Sequence, residues 1–227
     1  RLALRTSAPE GSVRPRERQV DYARPGDAVT VRLPALIDIP NRRPILLDLT
    51  GLETQWFLSV PAWRPDSKAF TFEWTQRGFG AFAVWEVFAD GVRRARVEER
   101  AETFVPYTLR QRRDLADGRS TLWVSERTGW RQLWRFWDDG RAVPLTQGRF
   151  VVHEIVRVDE ASGRVWFTAG GVNPGECPYQ LHLCVAALDG SGWRDLTPED
   201  AHHDVAFSPD GAVFVDNASR ADRPNVA

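Results

Sequence analysis

The sequence predicts an all-β fold, a partial β-propeller of four-stranded antiparallel blades. One strand–turn–strand pattern recurs at intervals of 51, 45 and 48 residues. Its turns are centred on Asp66, Asp117, Ser162 and Asp210. A second turn signal lies inside each unit, at Ala89–Gly91, Asp138–Gly140 and Leu188–Gly190. Strand-rich repeats of about 40–50 residues are typical of propeller blades, and because no stretch keeps a 3.6-residue apolar period over three turns, we expect almost no helix.

Taken in order, the chain divides into a lead-in and a series of blades. Residues 1–28 are rich in Arg, Glu and Pro without sustained periodicity, which indicates an irregular segment. Residues 29–227 are predicted to form the propeller, and 29–52 supply the outer hairpin of a partial first blade around the turn Pro40-Asn41. The following blades are expected at about 53–102, 103–148, 149–200 and, in part, 201–227.

Within the blades, strands are predicted where apolar residues alternate with polar ones or run together between turn residues. The clearest such runs are Val29–Leu33, Ala35–Ile39, Pro44–Leu49, Phe57–Trp63, Ala69–Thr75, Phe82–Phe88, Val92–Glu98, Thr121–Ser125, Gln132–Trp137, Ala142–Leu145, Val151–Val158, Arg164–Thr168, Gln180–Leu188, Trp193–Leu196, His203–Phe207 and Ala212–Asp216. Closed propellers have about four to eight blades. Because fewer are counted here and the chain begins without Met, we expect it to be truncated at both ends.

The composition is that of an ordinary soluble protein and argues against two classes of partner. Lys plus Arg number 30 and Asp plus Glu number 31, so the net charge of −1 provides no bulk attraction for nucleic acid or an anionic membrane. No apolar run approaches the roughly 18 residues that a membrane-spanning helix needs. We expect a protein of the bacterial cytoplasm or periplasm, and the sequence does not distinguish these compartments.

Motifs for nucleophilic or metal chemistry are absent from the sequence. The nearest imitation of Gly-x-Ser-x-Gly is Ser191 in Asp189–Gly192, which is typical of a hairpin turn. His202 and His203 are adjacent and should point to opposite faces of a strand, so they are not expected to bind one metal ion. The other histidines are His153 and His182. With no H-E-x-x-H, phosphate loop or calcium loop, we predict no metal site and no cofactor.

Charged clusters also fail to indicate a catalytic centre. A glycosidase needs two carboxyl groups converging on one bond, whereas Asp138-Asp139 lies in a predicted turn and Glu98-Glu99 near a strand end. The basic runs Arg93–Arg96 and Arg110–Arg113 have acidic neighbours, which favours a solvated, ion-paired rim. Those neighbours are Glu98, Glu99, Glu102 and Asp114. The sequence therefore identifies no catalytic residue and leaves the substrate-binding residues unknown.

Cysteines and aromatic residues favour structural roles. If the chain from Cys177 to Cys184 is extended, it spans roughly 23 Å, too far for a disulfide unless the chain folds back tightly. The ten Trp and twelve Phe are spread over every predicted blade. This distribution indicates packing between twisted sheets, and a stacking platform for sugars or bases would need a cluster.

Four segments carry a family resemblance, and they are Tyr22–Val31, Ser125–Trp134, Leu145–Val152 and Leu196–Gly211, the last followed by Ser219-Arg220. The most specific is Ser-Glu-Arg-Thr-Gly-Trp-Arg-Gln-Leu-Trp at Ser125–Trp134. The first departs from a Tyr-Pro-x-x-Gly-x-x-Asn-Pro-x-Val pattern by having Ala23 and no Asn. In this order the segments, covering about 22–224, resemble the N-terminal β-propeller of dipeptidyl peptidase IV-like serine peptidases, in the prolyl oligopeptidase clan.

This resemblance implies an eight-bladed propeller, with this chain as its second half, capping a C-terminal α/β-hydrolase domain absent from the chain. The family removes dipeptides from peptide substrates, favouring Pro or Ala in the second position. Its Ser–Asp–His triad belongs to the hydrolase domain, and its paired amine-binding glutamates have no counterpart here. The resemblance places Tyr107 near an aromatic residue of the substrate pocket, and residues about 22–50 at a homodimer interface.

Two classes of function follow from the sequence. The first is the propeller of a dipeptidyl-peptidase-like exopeptidase, which shapes and gates the substrate cavity of the hydrolase domain. The second is a non-catalytic binding propeller, which shares the same hairpins. A Gly-x-Ser-x-Gly motif in a following domain of the parent gene favours the first, and a gene that ends soon after residue 227 favours the second.

Overall fold

The computed structural model describes residues 1–108 and 110–226, with side chains up to Asp222, and in this part of the chain there are twenty strands and no helix. The strands are β1 Leu2–Thr6, β2 Arg16–Val20, β3 Leu36–Asp38, β4 Arg43–Ile45, β5 Gln55–Leu58, β6 Ala62–Trp63, β7 Ala69–Gln76, β8 Ala81–Phe88, β9 Arg93–Arg100, β10 Arg112–Asp114, β11 Ser120–Ser125, β12 Gln132–Trp137, β13 Ala142–Pro144, β14 Val151–Asp159, β15 Arg164–Gly170, β16 Leu181–Ala187, β17 Trp193–Asp195, β18 His202–Phe207, β19 Phe214–Arg220 and β20 Arg223–Val226.

Each sheet is an antiparallel meander of strands that follow one another in sequence. The sheets β10–β13 and β14–β17 have four strands each. In the sheet β5–β9, the short strands β5 and β6 both pair with β7 and share the first position. The strands β18–β20 form a three-stranded sheet, and β3–β4 and β1–β2 are hairpins. These separate, unclosed sheets confirm a partial β-propeller.

Aspartate side chains shape the turns that the repeat predicted. A carboxylate oxygen accepts a backbone N–H two residues further on, from Lys68 to Asp66 (3.1 Å), Arg119 to Asp117 (2.8 Å) and Ala212 to Asp210 (3.0 Å). This is the Asx-turn, in which the side chain stands in for a backbone acceptor. At Asp117, partial burial raises the pKa, but hydrogen bonds from Ser120, Arg119 and Arg135 outweigh it and lower the pKa to about 2.

The repeated Leu-Thr pair has a structural explanation. In the sheet β10–β13, the Thr146 hydroxyl oxygen accepts the backbone N–H of Leu133 at 2.9 Å. In β14–β17, the Thr197 hydroxyl oxygen accepts the N–H of Leu183 at the same distance. Each threonine therefore ties the chain that leaves the outer strand to the start of the third strand. The side chain supplies a bond that a longer outer strand would otherwise make through its backbone.

Apolar clusters lie between consecutive sheets. One joins the β3–β4 region to β5–β9 and includes Phe70 and Phe72. A second joins β5–β9 to β10–β13, where Phe82 stacks on Trp123 with ring centroids 5.0 Å apart. A third joins β10–β13 to β14–β17, around residues such as Phe167. Because a sheet buries its faces only against its neighbours, these clusters supply most of the hydrophobic stabilisation.

A buried ion cluster crosses the second of these junctions. Glu86, fully buried in β8, accepts hydrogen bonds from Arg64 (3.0 Å), Arg94 (2.9 Å) and Arg96 (3.1 Å). The Arg96 side chain is only 4% exposed. Arg94 also lies 3.6 Å from Asp138 of the next sheet. Glu86 thus bonds three guanidinium groups, and Asp66 and Asp138 supply further negative charge to Arg64 and Arg94.

The N-terminal region differs from the sequence prediction. The lead-in 1–28, expected to be irregular, contains the β1–β2 hairpin, in register from Leu2 opposite Val20 to Thr6 opposite Arg16. Its side chains are almost all exposed, so it lacks the apolar alternation by which strands are recognised. Conversely, Val29–Leu33 forms no strand, and the Gln55 side chain instead bonds both the N–H (3.0 Å) and the carbonyl (2.8 Å) of Arg32.

We predict that Glu86→Gln destabilises the protein by about 3–5 kcal/mol, because removing one partner of a buried ion cluster leaves uncompensated charge. The matched control is Glu98→Gln, which removes an exposed carboxylate paired with the exposed Arg100 and should have little effect. Urea unfolding followed by tryptophan fluorescence measures both. Equal effects of the two substitutions would contradict the importance of the buried cluster.

Candidate functional site

A cavity of about 160 Å³ lies at the junction of the sheets β5–β9 and β10–β13. Its walls come from the end of β9, the connection to β10, the end of β11 and the turn that follows β11. Lining side chains include Glu99, Phe104, Arg110, Trp123, Arg127 and Arg131. The cavity therefore combines an apolar floor with several charged groups, a composition that suits a site for small polar ligands or peptide groups.

Glu99 is the buried acid of this cavity. Its carboxylate accepts a hydrogen bond from Trp123 Nε1 at 3.0 Å and another from Arg127 Nη2 at 2.9 Å. Arg127 also donates to Ser125 Oγ at 2.9 Å, and its guanidinium lies 4.6 Å from the centroid of the Phe136 ring. The charge of Glu99 is thus compensated by Arg127, and the pair forms a fixed wall of the cavity.

Two further arginines give the cavity an excess of positive charge. The Arg110 guanidinium lies 4.1 Å from the centroid of Phe82 and donates to the carbonyl of Pro106 (3.1 Å) and to Thr75 Oγ1 (3.2 Å). Burial lowers the pKa of Arg110, and Glu73 partly opposes this. Burial likewise lowers the pKa of Arg131, which donates to the carbonyl of His153. Both remain cationic at neutral pH and are incompletely hydrated, a state that favours anionic or carbonyl ligands.

Aromatic side chains cluster beside the cavity. Phe79 is the centre of the cluster, with ring centroids 6.0 Å from Trp56, 5.4 Å from Phe104 and 5.1 Å from Tyr107. Trp56 and Tyr107 are each 58% exposed. Four aromatic rings in contact at the surface form an apolar patch, which marks an interaction site more often than a scattered residue does.

The backbone conformation of Phe79 also favours an interaction site at this patch. Phe79 has a φ of +60°, in the left-handed region that costs a bulky residue about 1–2 kcal/mol. The turn holds it there, because its N–H bonds the carbonyl of Gln76 at 3.0 Å and its carbonyl accepts from Val105 at 2.7 Å. Strained backbone of this kind is found most often at functional sites.

The Ser125–Trp134 segment builds one side of the cavity. Ser125 Oγ accepts the backbone N–H of Arg127 at 3.2 Å, and Gly129 closes the following turn with a φ of +85°. Arg131 then reaches β14 through its carbonyl, which accepts the N–H of Val152 at 2.8 Å. The motif that carried the family resemblance therefore positions both Arg127 and Arg131 in the cavity wall.

The acidic and serine candidates do not converge on a site. Ser191 lies in the β16–β17 turn, where its N–H bonds Asp189 at 2.9 Å. Glu98 and Glu99 point to opposite sides of β9, one exposed and one buried. Asp138, in the β12–β13 turn, pairs with Arg119 at 3.4 Å.

The basic runs differ from a solvated rim in one respect. Arg112 and Asp114 form the expected ion pair at 2.6 Å, in which the arginine is largely covered and the aspartate is about half-exposed. Arg96, however, is buried, and its partner is Glu86 of the neighbouring strand, which sequence proximity did not indicate. Cys177 and Cys184 are both free thiols, the first exposed and the second buried.

The histidines are placed apart from the cavity walls. His203 is buried and bonded to Asp216 at 2.7 Å, while His202 Nδ1 accepts the N–H of Leu181 at 3.4 Å. Across residues 1–108 and 110–226, no group of three or more His, Cys, Asp or Glu side chains is placed to hold a metal ion. Nor does the described part of the chain contain a helix long and apolar enough to cross a membrane.

Sequence reasoning missed the cavity itself. In the sequence, Glu99 and Arg110 belong to charged runs that predict a surface rim, and their burial depends on the sheet-to-sheet contact. The signal present in the sequence is Gly78 before Phe79, with Phe104 and Tyr107 in the next connection, and the structure brings these three rings together. Of the residues weighed from the sequence, Tyr107 belongs to the aromatic cluster.

Comparison with known proteins identifies relatives of this fold. The model of the dipeptidyl peptidase IV N-terminal region matches residues 2–225. The crystal structure of Porphyromonas gingivalis dipeptidyl peptidase 4 superposes with a TM-score of 0.68 at 17% identity, over 99% of this chain and 31% of that one. A putative dipeptidyl aminopeptidase IV from Bacteroides ovatus gives 0.60 at 19% identity, over 83% and 29%.

These solved proteins are about three times as long as the region they share with this chain. At this low identity the superpositions support the fold alone, which is a propeller. The family assignment rests on the family model. That model extends over nearly all 227 residues, including the segments that carried the resemblance in the sequence. The chain therefore belongs to the family of dipeptidyl peptidase IV N-terminal regions.

Proposed function

We propose that this chain is the propeller segment of a serine-type dipeptidyl peptidase, and that it shapes and gates the substrate cavity of an α/β-hydrolase domain in the same polypeptide. The observation that carries the proposal is the aromatic cluster beside the arginine-lined cavity, in a chain of this family. The catalytic triad belongs to the hydrolase domain, and no catalytic residue is assigned to this segment.

The blades are part of the same proposal. Residues 29–227 supply consecutive blades of an eight-bladed propeller, with divisions at about 53–102, 103–148 and 149–200 and partial blades on either side. The observed sheets support these divisions, since β5–β9, β10–β13 and β14–β17 fall one within each range.

The cavity suits a peptide in two ways. The exposed rings of Trp56, Phe104 and Tyr107 offer apolar surface to side chains such as proline, at little entropic cost. Arg110 and Arg131 offer guanidinium groups to peptide carbonyls or to an acidic side chain. Holding a substrate by parts remote from the scissile bond orients it for attack and excludes water from the reaction.

We predict that the full parent polypeptide hydrolyses Gly-Pro and Ala-Pro chromogenic amides, and that the isolated segment does not. A serine-directed inhibitor should abolish the activity of the parent, because the proposed nucleophile is a serine of the hydrolase domain. Steady-state kinetics on both proteins measures this. A folded parent without turnover would contradict the peptidase proposal and leave a binding propeller.

A second prediction concerns Phe79. Phe79→Asn removes the ring but suits a left-handed backbone, so the fold should keep its stability. KM for the peptide amides should rise about 2- to 10-fold, the equivalent of one aromatic contact. Tyr179→Asn, which alters a ring 87% exposed on another loop, is the control and should leave KM unchanged. An unchanged KM for Phe79→Asn would exclude the cluster from substrate binding.

We also propose that residues about 22–50 contribute to a homodimer interface. Ile37, Ile39 and Leu46 support this, since they are 62%, 81% and 93% exposed around β3 and β4. Changing Ile37 and Ile39 together to Glu should shift the parent protein from dimer to monomer in sedimentation velocity, because a desolvated carboxylate opposes apolar association. A dimer of unchanged affinity would place the interface elsewhere.

A further inference from the structure

The cavity between β5–β9 and β10–β13 carries more positive than negative charge. Four arginines and two glutamates line it, and they are Arg100, Arg110, Arg127, Arg131, Glu99 and Glu126. Two of the arginines have a carboxylate partner at close range. Arg127 Nη2 lies 2.9 Å from Glu99, and Arg100 Nη2 lies 2.6 Å from Glu98, which is not part of the cavity wall. The excess of positive charge therefore belongs to Arg110 and Arg131.

Arg131 is partly balanced by an acid at the cavity rim. Glu126, exposed in the turn after β11, opposes the lowering of the Arg131 pKa that burial causes. Arg131 also donates from Nη1 to the carbonyl oxygen of His153 at 3.3 Å. The charge that is least compensated is therefore that of Arg110.

Arg110 bonds only neutral acceptors. Its Nε donates to the carbonyl of Pro106 at 3.1 Å, and its Nη2 donates to Thr75 Oγ1 at 3.2 Å. Among the described residues, Nη1 has no acceptor and no carboxylate forms an ion pair with this guanidinium. Glu73, which acts on Arg110 from a greater distance, lies 3.8 Å from Arg112. Arg110 is thus a half-buried cation without a close counter-ion.

The guanidinium of Arg110 is held in a fixed position. It lies 4.1 Å from the centroid of the Phe82 ring, which is fully buried and stacks on Trp123. Thr75, its partner in β7, is only 1% exposed. Contacts to β7, β8 and the β9–β10 connection therefore fix the group and leave Nη1 for a ligand. A preformed donor loses little conformational entropy when it binds.

A carboxylate satisfies this donor better than a peptide carbonyl does. A carbonyl would accept from Nη1 but would leave the positive charge uncompensated in a partly dry site. A carboxylate supplies the acceptor and the opposite charge together, and such charge-assisted hydrogen bonds are roughly twice as strong as neutral ones. Glu99 does not take this place, because its carboxylate is already bonded to Trp123 and Arg127.

The size of the cavity suits an acidic side chain. Its volume is about 160 Å³. An apolar cavity of about 150 Å³ in another protein accepts a benzene molecule, which has more heavy atoms than the side chain of aspartate or glutamate. Phe104 and Val105 also line the cavity and offer apolar contact to methylene groups. The site can therefore hold the whole side chain, with its carboxylate at Arg110.

We propose that this cavity is a subsite for an acidic side chain of the peptide substrate, and that Arg110 is the specificity-determining residue that binds its carboxylate. This rests on the proposed function, since peptides must reach the cavity of the propeller. It adds a substrate class, peptides with Asp or Glu at the position that meets Arg110. The aromatic cluster around Phe79 lies beside the cavity and is available to a neighbouring apolar residue such as proline.

The full parent polypeptide tests the subsite without any variant. Pairs of peptides with proline at the second position differ only in Glu or Gln at the first, third or fourth position. All are amidated at the C-terminus, so that the only carboxylate compared is that of the side chain. At one of these positions kcat/KM should be about tenfold higher for Glu than for Gln, because a charge-assisted hydrogen bond replaces a neutral one. Chromatography of the released dipeptides measures this.

The possible results separate this proposal from the proposed function. Cleavage of all the peptides with Glu equal to Gln at every position, or with Gln preferred, would overturn the acidic subsite and leave the peptidase proposal intact. An equal preference for Glu at all three positions would indicate attraction by the overall field of the protein, and it would also overturn the subsite. No cleavage of any peptide would overturn the peptidase proposal and this one with it.

Arg110→Gln tests the assignment to one residue. The new amide can still donate to Thr75 but has no charge, so the Glu-to-Gln ratio of kcat/KM should fall to about one, while the value for the Gln peptide changes by less than about threefold. Arg113→Gln is the matched control, because it removes an exposed arginine of β10 outside the cavity wall, and it should keep the original ratio.

Thermal unfolding shows whether both variants are folded. The original ratio in a folded Arg110→Gln protein would overturn the role of Arg110. The peptide pairs on the unaltered parent decide the subsite even if this variant is unstable.

Discussion

Every sheet of this protein is narrow, and none can bury both faces without its neighbours. Four short strands expose two faces and two edges, so stability comes from contacts between consecutive sheets. The clusters around Phe72, Phe82 and Phe167 meet this requirement at three junctions. The structure is therefore a row of similar units in which each interface stabilises the unit on either side. What differs between units is the chemistry of the interface.

Ion pairs at these interfaces are strong because the apolar packing shields them from water. Glu86 is fully buried and bonds three arginines, and Glu99 likewise bonds Arg127 beside the stacked Phe82 and Trp123. In water such pairs would contribute little. Burial makes these pairs costly to disrupt. The cavity at the second junction is thus bounded by rigid groups.

Much of the fold could be predicted from the sequence, and the reasons are local. Asp66, Asp117 and Asp210 specify turns through bonds to residues two positions away, so the repeat was readable without tertiary information. The β1–β2 hairpin could not be predicted, because strands without a buried face lack alternation. The cavity was missed for the opposite reason: Glu99 and Arg110 acquire their roles from contacts with residues 24 and 35 positions away.

The cavity and the histidine pair His182 and His203 occupy equivalent ends of their sheets. In an antiparallel meander, the end of the second strand, the start of the third and the connection to the next sheet all meet at one end. At one junction this end holds the arginine-lined cavity, and at a later one it holds His182 and His203. The connections at this end form few backbone ladders, so side chains must fix them. Gln132 does so by donating from its amide to the carbonyl of Phe150, and His182 does so by donating from Nδ1 to the carbonyl of Thr197, so two different side chains at equivalent positions hold different parts of the connection.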